Sequence, residues 1–579
     1  MSIYLLSRAT GPDAAASKGI ERFRQMATAQ GFHPLPPRRF GEWVLDLIET
    51  PSRTGIISVE SEPGSLLLAA GLFLYRGLSG VEALRACGEA MASGRFDRRD
   101  TQGHFTLLRC GADGIEVFCD GLGAHKIYHL AEKQLYSNSF LAALCCIDKG
   151  HVDPVGAHVY AFAGACYGGR TFIRELRFFG ADRRLHLGKK ETVSQIAPLI
   201  RHDPVAGFHS FDEALHANLG ALRAALTPLV TFSQGRIRLS FSGGYDSRLL
   251  LALLLEQGVL PELYVYGADR DIDVRIAKHV AEAEGLKLRH VDKGKDPTPD
   301  GEAFRAVVEA GLVHFDGWKN TGLFDNGADV PDRRSRHQDG YLPVNGGLGE
   351  IYRNFFSLRD RAYRTEDIVA SFYSGFDPRW IRDRSAIPAY CDEMALRMRE
   401  QLDTGTGRLT SLQAQLLYPL FRGRFWTARE AEINQRFGAM AFPFLEHRLI
   451  DTAAQVPVPF KDYGRLQAAL ITALSPRLAA LPTGYGFGFD SPPGWRYRLD
   501  TWSTLMRPIW LRRHIRIFRR RRQGWHRPPW LAEERLRTVM DPSLPFMRDL
   551  FAIEQVNDAD TLNRIVTMDY LAQRFDLRD

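Results

Sequence analysis

The stretch Arg236-Ile237-Arg238-Leu239-Ser240-Phe241 is apolar and rich in β-formers. It runs into Ser242-Gly243-Gly244-Tyr245-Asp246-Ser247 and then Arg248 to Leu255, a leucine-rich helix former ending at Gly258. Strand, paired-glycine turn and helix are thus fixed in that order. Two glycines let the backbone bend tightly and bring N–H groups to an oxyanion with no Cβ in the way. The helix start adds about half a positive charge where a phosphate would sit. Ser242 and Ser247 add hydroxyl donors. Asp246 would repel a bare phosphate, so it implies an intervening Mg²⁺ or ribose hydroxyl. The lysine of the G-x-x-x-x-G-K-[ST] loop is missing, which excludes that class of phosphate loop. The alternative is a glycine-rich turn with no ligand.

A chain of 579 residues allows two or more domains. Its 45% apolar and 25% charged residues suit a folded protein with a large core. The seven cysteines form no C-x-x-C pair, so neither a zinc site nor a disulfide frame is indicated, as expected of a cytoplasmic protein. No signal-like start and no long apolar run is found, so no transmembrane segment is expected. The net charge of +7 is partly local: Arg512, Arg513, Arg516 and Arg519 to Arg522 cluster beside Trp510, Phe518 and Trp525. Such a segment is either a solvated helix face or a surface for nucleic acid, anionic lipid or an acidic partner.

Ser242 to Ser247 resembles the SGGxDS pyrophosphate loop of the ATP pyrophosphatase group, which splits ATP into AMP and pyrophosphate. Other stretches extend the likeness. Val117 to His129, followed by Leu135-Tyr136-Ser137-Asn138-Ser139, is similar to the amidotransferase domain that precedes the synthetase domain in asparagine synthetases. Tyr167 to Phe172 resembles the end of that domain. The resemblance implies, for residues 1–195, an αββα sandwich of two antiparallel sheets between helices. Strand-like runs at Ile3–Leu6, Leu66–Leu68, Phe105–Leu108 and Ile115–Cys119, with a helix near Val81–Met91, agree with it. Met1 is followed by Ser2 rather than the family's cysteine nucleophile. A working glutaminase is therefore not expected, and this domain reads as a retained structural partner.

Residues 205–579 then resemble the asparagine synthetase ATP domain, a doubly wound parallel sheet with added helices. His202-Asp203-Pro204 marks the linker, and Phe211–Leu226 reads as a helix. Strands at Leu263–Tyr266 and Lys287–Val291 alternate with a helix from Asp273, which places a ligand at the carboxyl ends of the strands. Ser240 and Tyr266 would form the adenine edge, and Asp273 reads as a helix N-cap in preference to a ligand. Asn345 to Arg353 resembles the family's second loop, with Gly347 and Glu350 matched but Gly346 and Gly349 replacing acids. Glu350 either helps hold Mg²⁺ or starts a helix. Leu409–Phe437 reads as helical, and Pro443-Phe444-Leu445-Glu446 matches a structural element of the family. The family's charge-stabilising lysine falls at Gln467, so Lys461 or Arg465 would substitute, unless each is a surface charge. Tyr485 to Phe489 looks like a late loop near the site, and Asp541–Asp579 reads as helical.

The expected activity is an ATP- and Mg²⁺-dependent ligase joining a small-molecule or peptide carboxylate to an amine through an acyl-adenylate. Asp246, Glu350, Lys461 and Arg465 are its expected catalytic residues. Ser240, Ser242, Gly243, Gly244, Tyr245, Asp246, Ser247, Tyr266 and Gly347 are its expected nucleotide contacts, and Asp246 and Glu350 its metal contacts. The alternatives are a non-catalytic relative serving as a binding protein and a tRNA-modifying ATP pyrophosphatase. A second copy of the chain and an anionic partner at Arg512–Arg522 are further candidate partners.

Overall fold

Burial along the first strand, Ile3–Arg8, shows what the strand divides. In this computed structural model, which describes residues 2–9, 14–52, 56–60, 64–405, 408–522 and 524–578, Tyr4 and Leu6 face Leu68, Leu108 and Val117 of a second sheet. Ile3 and Leu5 face the other way, towards Ile20, Phe23 and Ala27 on the helix Ala14–Ala29. Alternation with period two is what a strand between two apolar layers requires.

The first sheet has seven antiparallel strands, with Ile3–Arg8 between Leu135–Ser137 and Trp43–Glu49. The second has six, with Phe105–Gly111 between Gly114–Cys119 and Leu66–Gly71. The outer face of the second sheet, through Leu67, Ala69 and Phe105, packs on Ala83, Leu84 and Cys87 of the helix Gly80–Ala92. The order helix, sheet, sheet, helix follows.

A third sheet is parallel throughout, in the order Leu288–Val291, Glu262–Tyr266, Ile237–Ser240, Leu342–Val344. The chain lays down the first three strands in one direction across the sheet and returns to place the fourth on the other side. The order thus reverses between Ile237–Ser240 and Leu342–Val344. At such a reversal the connections run on to opposite faces of the sheet, and a crevice forms outside the carboxyl ends of the strands. The strands are covered by Tyr245–Glu256 and Ile272–Glu284, whose buried leucines, valines and alanines join the main core. The fold is mixed α/β with several sheets.

The antiparallel and parallel parts are tied by buried charge. Asp316 accepts from Ser139 Oγ and the backbone N–H groups of Phe140 and Leu141 at 2.5, 2.9 and 3.1 Å. It also pairs with Arg429 and Arg436 at 3.3 and 3.0 Å. Glu446 accepts from the Gly103 N–H at 2.9 Å, giving the Pro443–Glu446 element its structural use.

Two helical expectations need correction. The region expected as one helix over Leu409–Phe437 is Ser411–Leu417, a wide-turned π-helix at Tyr418–Thr427, and Ala428–Gln435. Pro419 has no N–H for the regular ladder, and Leu348 fills the space beside Gly423. In Asp541–Asp579 the α-helix is confined to Ala559–Arg574. No helix among the described residues is long and apolar enough to cross a membrane.

Candidate functional site

The two loops leaving the strands at the reversal meet. After Ser240 the chain turns through Gly243, whose φ of +76° is open to glycine at little cost. A Cβ there would also lie 2.1 Å from Ile276. Gly244 then caps the twelve-residue helix Tyr245–Glu256 with no side-chain hydrogen bond. Its leading N–H groups therefore keep their capacity to bind an anion. The Ser242 and Ser247 hydroxyls stand 3.5 Å apart, within reach of each other and of loop backbone.

The second loop, after Leu342–Val344, is held to the chain near the π-helix by Asn345 N–H donating to Ala441 O at 3.0 Å. Leu348 takes a φ of +79°, uncommon for a branched side chain, and the tight turn Gly349–Tyr352 follows. This brings Glu350 beside Asp246. Both carboxylates reach Arg353 Nη2 at 3.5 Å. Gln467 Nε2 donates to Asp246 Oδ1 at 2.7 Å, and Tyr418 O–H donates to Glu350 Oε2 at 2.5 Å. Burial first, and then the charge of Glu350, pushes the Asp246 carboxyl up to about 7. Burial opposes the charge on Arg353, but Asp246 and Glu350 together raise its pKa above the ordinary value. Burial holds the Tyr418 phenol well above its usual range, and Glu350 adds to the effect.

These groups border two hollows. One is a cleft of about 430 Å³ lined by Ser240, Ser242, Asp246, Ser247, Tyr266, Gly347 and Glu350 among others. The other, about 290 Å³, is bordered by Glu350, Arg353, Lys461 and Tyr497. Lys461 is 3% exposed and its ammonium makes no ion pair among the described residues. Burial lowers its pKa to about 7.

Most of the sequence-predicted residues converge here. Ser240 is half-buried at the strand end, and the Tyr266 ring is exposed at the cleft's edge with Lys293 Nζ 5.1 Å from its centroid. Tyr245 is buried and stacks on Phe489 at 4.0 Å, which places the Tyr485–Phe489 loop beside the glycine turn. Gly347 donates its N–H to Asn345 Oδ1 at 2.8 Å. Three expectations change. Arg465 does not enter the cleft: it is exposed and lies over the Phe211 ring at 4.4 Å. Asp273 is not the N-cap of its helix: Asp271 holds that position, and Asp273 lines the cleft from the first turn. Glu350 starts no α-helix but sits in the short turn.

Gly346 and Gly349, where the resemblance led acids to be expected, also have a local reason. A Cβ at Gly349 would come 2.6 Å from the Asp246 carboxylate, and one at Gly346 would come 3.2 Å from Ser247 N. The second loop packs directly on the helix start.

Arg353, Tyr418, Arg422 and Trp426 were missed as site residues. Pro419 and Gly423 inside a helical pattern were the available signal, because that pairing disfavours an ordinary α-helix and hence an ordinary helix face. Among the described residues no group of three or more His, Cys, Asp or Glu is placed to hold a metal ion. Asp246 and Glu350 converge on one cationic nitrogen, which suits a hard divalent cation completed by phosphate oxygens and water. No family model matches the chain, and no curated protein matches it.

Proposed function

We propose that this chain is an ATP-dependent ligase of asparagine synthetase type, forming AMP and pyrophosphate as it joins a carboxylate to an amine. The single observation that carries the reading is the meeting of Asp246 and Glu350 at the sheet's reversal, beside an uncapped helix start. In this reading the ATP pyrophosphate lies on the Ser242–Ser247 turn, and the base lies towards Tyr266. Asp246 and Glu350 are the residues that would hold Mg²⁺, which would offset charge on the phosphates. A substrate carboxylate oxygen attacks the α-phosphorus, the bond to the β-phosphate breaks, and pyrophosphate leaves. An amine then attacks the acyl carbon, AMP leaves, and an amide remains.

Arg422 lines the cleft itself, and Arg353 and Lys461 border the adjoining hollow, so these cations are placed to offset charge developing on phosphate, whereas Arg465 borders neither. Positioning and charge stabilisation carry most of the acceleration. The antiparallel sandwich is read as an amidotransferase-like partner without glutaminase activity.

The test is calorimetric Mg²⁺–ATP binding, followed by release of AMP and pyrophosphate with aspartate and ammonia and then with larger carboxylates and amines. Asp246→Ala is expected to abolish nucleotide binding and release. Equal Mg²⁺–ATP affinity in the wild type and this variant would sink the reading. Binding without release from any pair would favour a non-catalytic relative.

A further inference from the structure

The helix Trp495–Met506 uses two opposite faces. Tyr497, Thr501 and Leu505 turn inward and border the hollow beside Glu350 and Arg353. Trp495, Leu499, Trp502 and Met506 turn outward and are 70, 55, 50 and 46% exposed. Their spacing puts them on one stripe of a helix, within about 60° of arc at 3.6 residues per turn. The next helix, Ile509–Arg522, exposes Trp510 and Phe518 as well. The inward faces serve the fold, whereas the outward rings meet groups of their own helices: Arg496 lies 5.3 Å from the Trp495 ring, Arg522 4.2 Å from the Phe518 ring, and His514 6.0 Å from the Trp510 ring.

The charge around the stripe is of one sign. Residues 495–522 contain ten arginines and a single acid, Asp500. The fold uses four of the arginines. Arg512 is buried and donates to the Phe356, Ser357 and Thr504 carbonyls, and Arg516 donates to Phe372 O. Arg520 pairs with Asp558 and Arg521 with Asp377. Arg496, Arg498, Arg519 and Arg522 are exposed with no carboxylate partner among the described residues.

We propose that these two helices dock the protein on an anionic phospholipid surface. An interfacial helix presents an apolar stripe with tryptophans to the acyl boundary and arginines to the headgroups. Leu499 and Met506 decide against nucleic acid, because neither stacks on a base nor bonds a phosphate. The docking is independent of the ligase reading.

The experiment is cosedimentation of the full chain with vesicles of phosphatidylcholine alone or mixed with phosphatidylglycerol, at low and high salt. Binding to the mixed vesicles only, weakened by salt, is expected. Arg519→Gln with Arg522→Gln should lower partitioning about fivefold per arginine. Trp495→Ser with Trp502→Ser should lower it at least about tenfold. All four positions are exposed, so an unchanged melting midpoint separates lost docking from lost fold. No binding to mixed vesicles, or wild-type partitioning by the tryptophan pair, overturns the proposal. Binding to duplex DNA, single-stranded RNA or polyglutamate without vesicle binding overturns it in favour of that class.

Discussion

Gln467 donates its side-chain amide to Asp246 Oδ1 at 2.7 Å, joining the helix Arg465–Leu474 to the start of Tyr245–Glu256. The bond favours the ionised carboxylate against burial and the neighbouring Glu350. A hydrogen bond to a charged group contributes about 1.5–3 kcal/mol. Gln467→Leu should therefore weaken Mg²⁺–ATP binding at least about tenfold by calorimetry. Gln467→Glu should weaken it further, by setting a third carboxylate against Asp246 and Glu350. Unchanged affinity in both would show that the contact has no part in binding.

Gly349 tests the packing of the second loop. Its missing Cβ leaves the space that the Asp246 carboxylate fills, at 2.6 Å. Overpacking of this kind costs about 1–3 kcal/mol, which here falls on one carboxylate. Gly349→Ala is expected to reduce nucleotide binding at least tenfold, a loss of about 1.4 kcal/mol, while the melting midpoint shifts little. A fully folded variant with wild-type binding would show that Asp246 need not stay where it stands.

Lys461 gives a stability signature with a definite sign. Burial depresses its folded pKa from 10.5 to about 7, so the unfolded chain binds more protons between those values. Stability therefore rises with pH across that window, and the cost of the buried charge is fully present below about 7. Lys461→Met should stabilise the unliganded protein by up to about 5 kcal/mol below the window and by little above it. Urea titrations at both ends check this. The same variant should be slower in AMP release, the trade expected of a charge kept for function.

Asp316 tests the tie between the antiparallel and parallel parts. It is fully buried, caps the helix Phe140–Cys145 through two N–H groups, and faces Arg429 and Arg436. Asp316→Ala leaves both guanidinium groups without that carboxylate. Removing one partner of a buried ion pair costs about 3–5 kcal/mol. Chemical denaturation should show a loss of that size, and a loss under about 1 kcal/mol would mean the cluster relaxes with little cost.

Taken alone, the residues determined what acts over short range. The β-rich run before Ser242, its paired glycines and the leucines after it dictate strand, turn and helix by local propensity, and the structure has them at Ile237–Ser240 and Tyr245–Glu256. The antiparallel strands near Ile3, Leu66, Phe105 and Ile115 were legible for the same reason. The π-helix at Tyr418–Thr427 was only half legible: Pro419 and Gly423 signal a departure from the regular helix, but Leu348, which packs beside Gly423, lies far away in sequence. The meeting of Asp246 with Glu350 was expected only through the resemblance, and the contacts of Arg353, Tyr418 and Gln467 with that pair were not expected. Gln467 lies 221 positions from Asp246, and Glu350 and Arg353 reach it only because the fourth parallel strand is laid on the far side of the first. Strand order decides which loops become neighbours. Burial there then sets how strongly one carboxylate acts on the next, and neither quantity is written in any short stretch of chain.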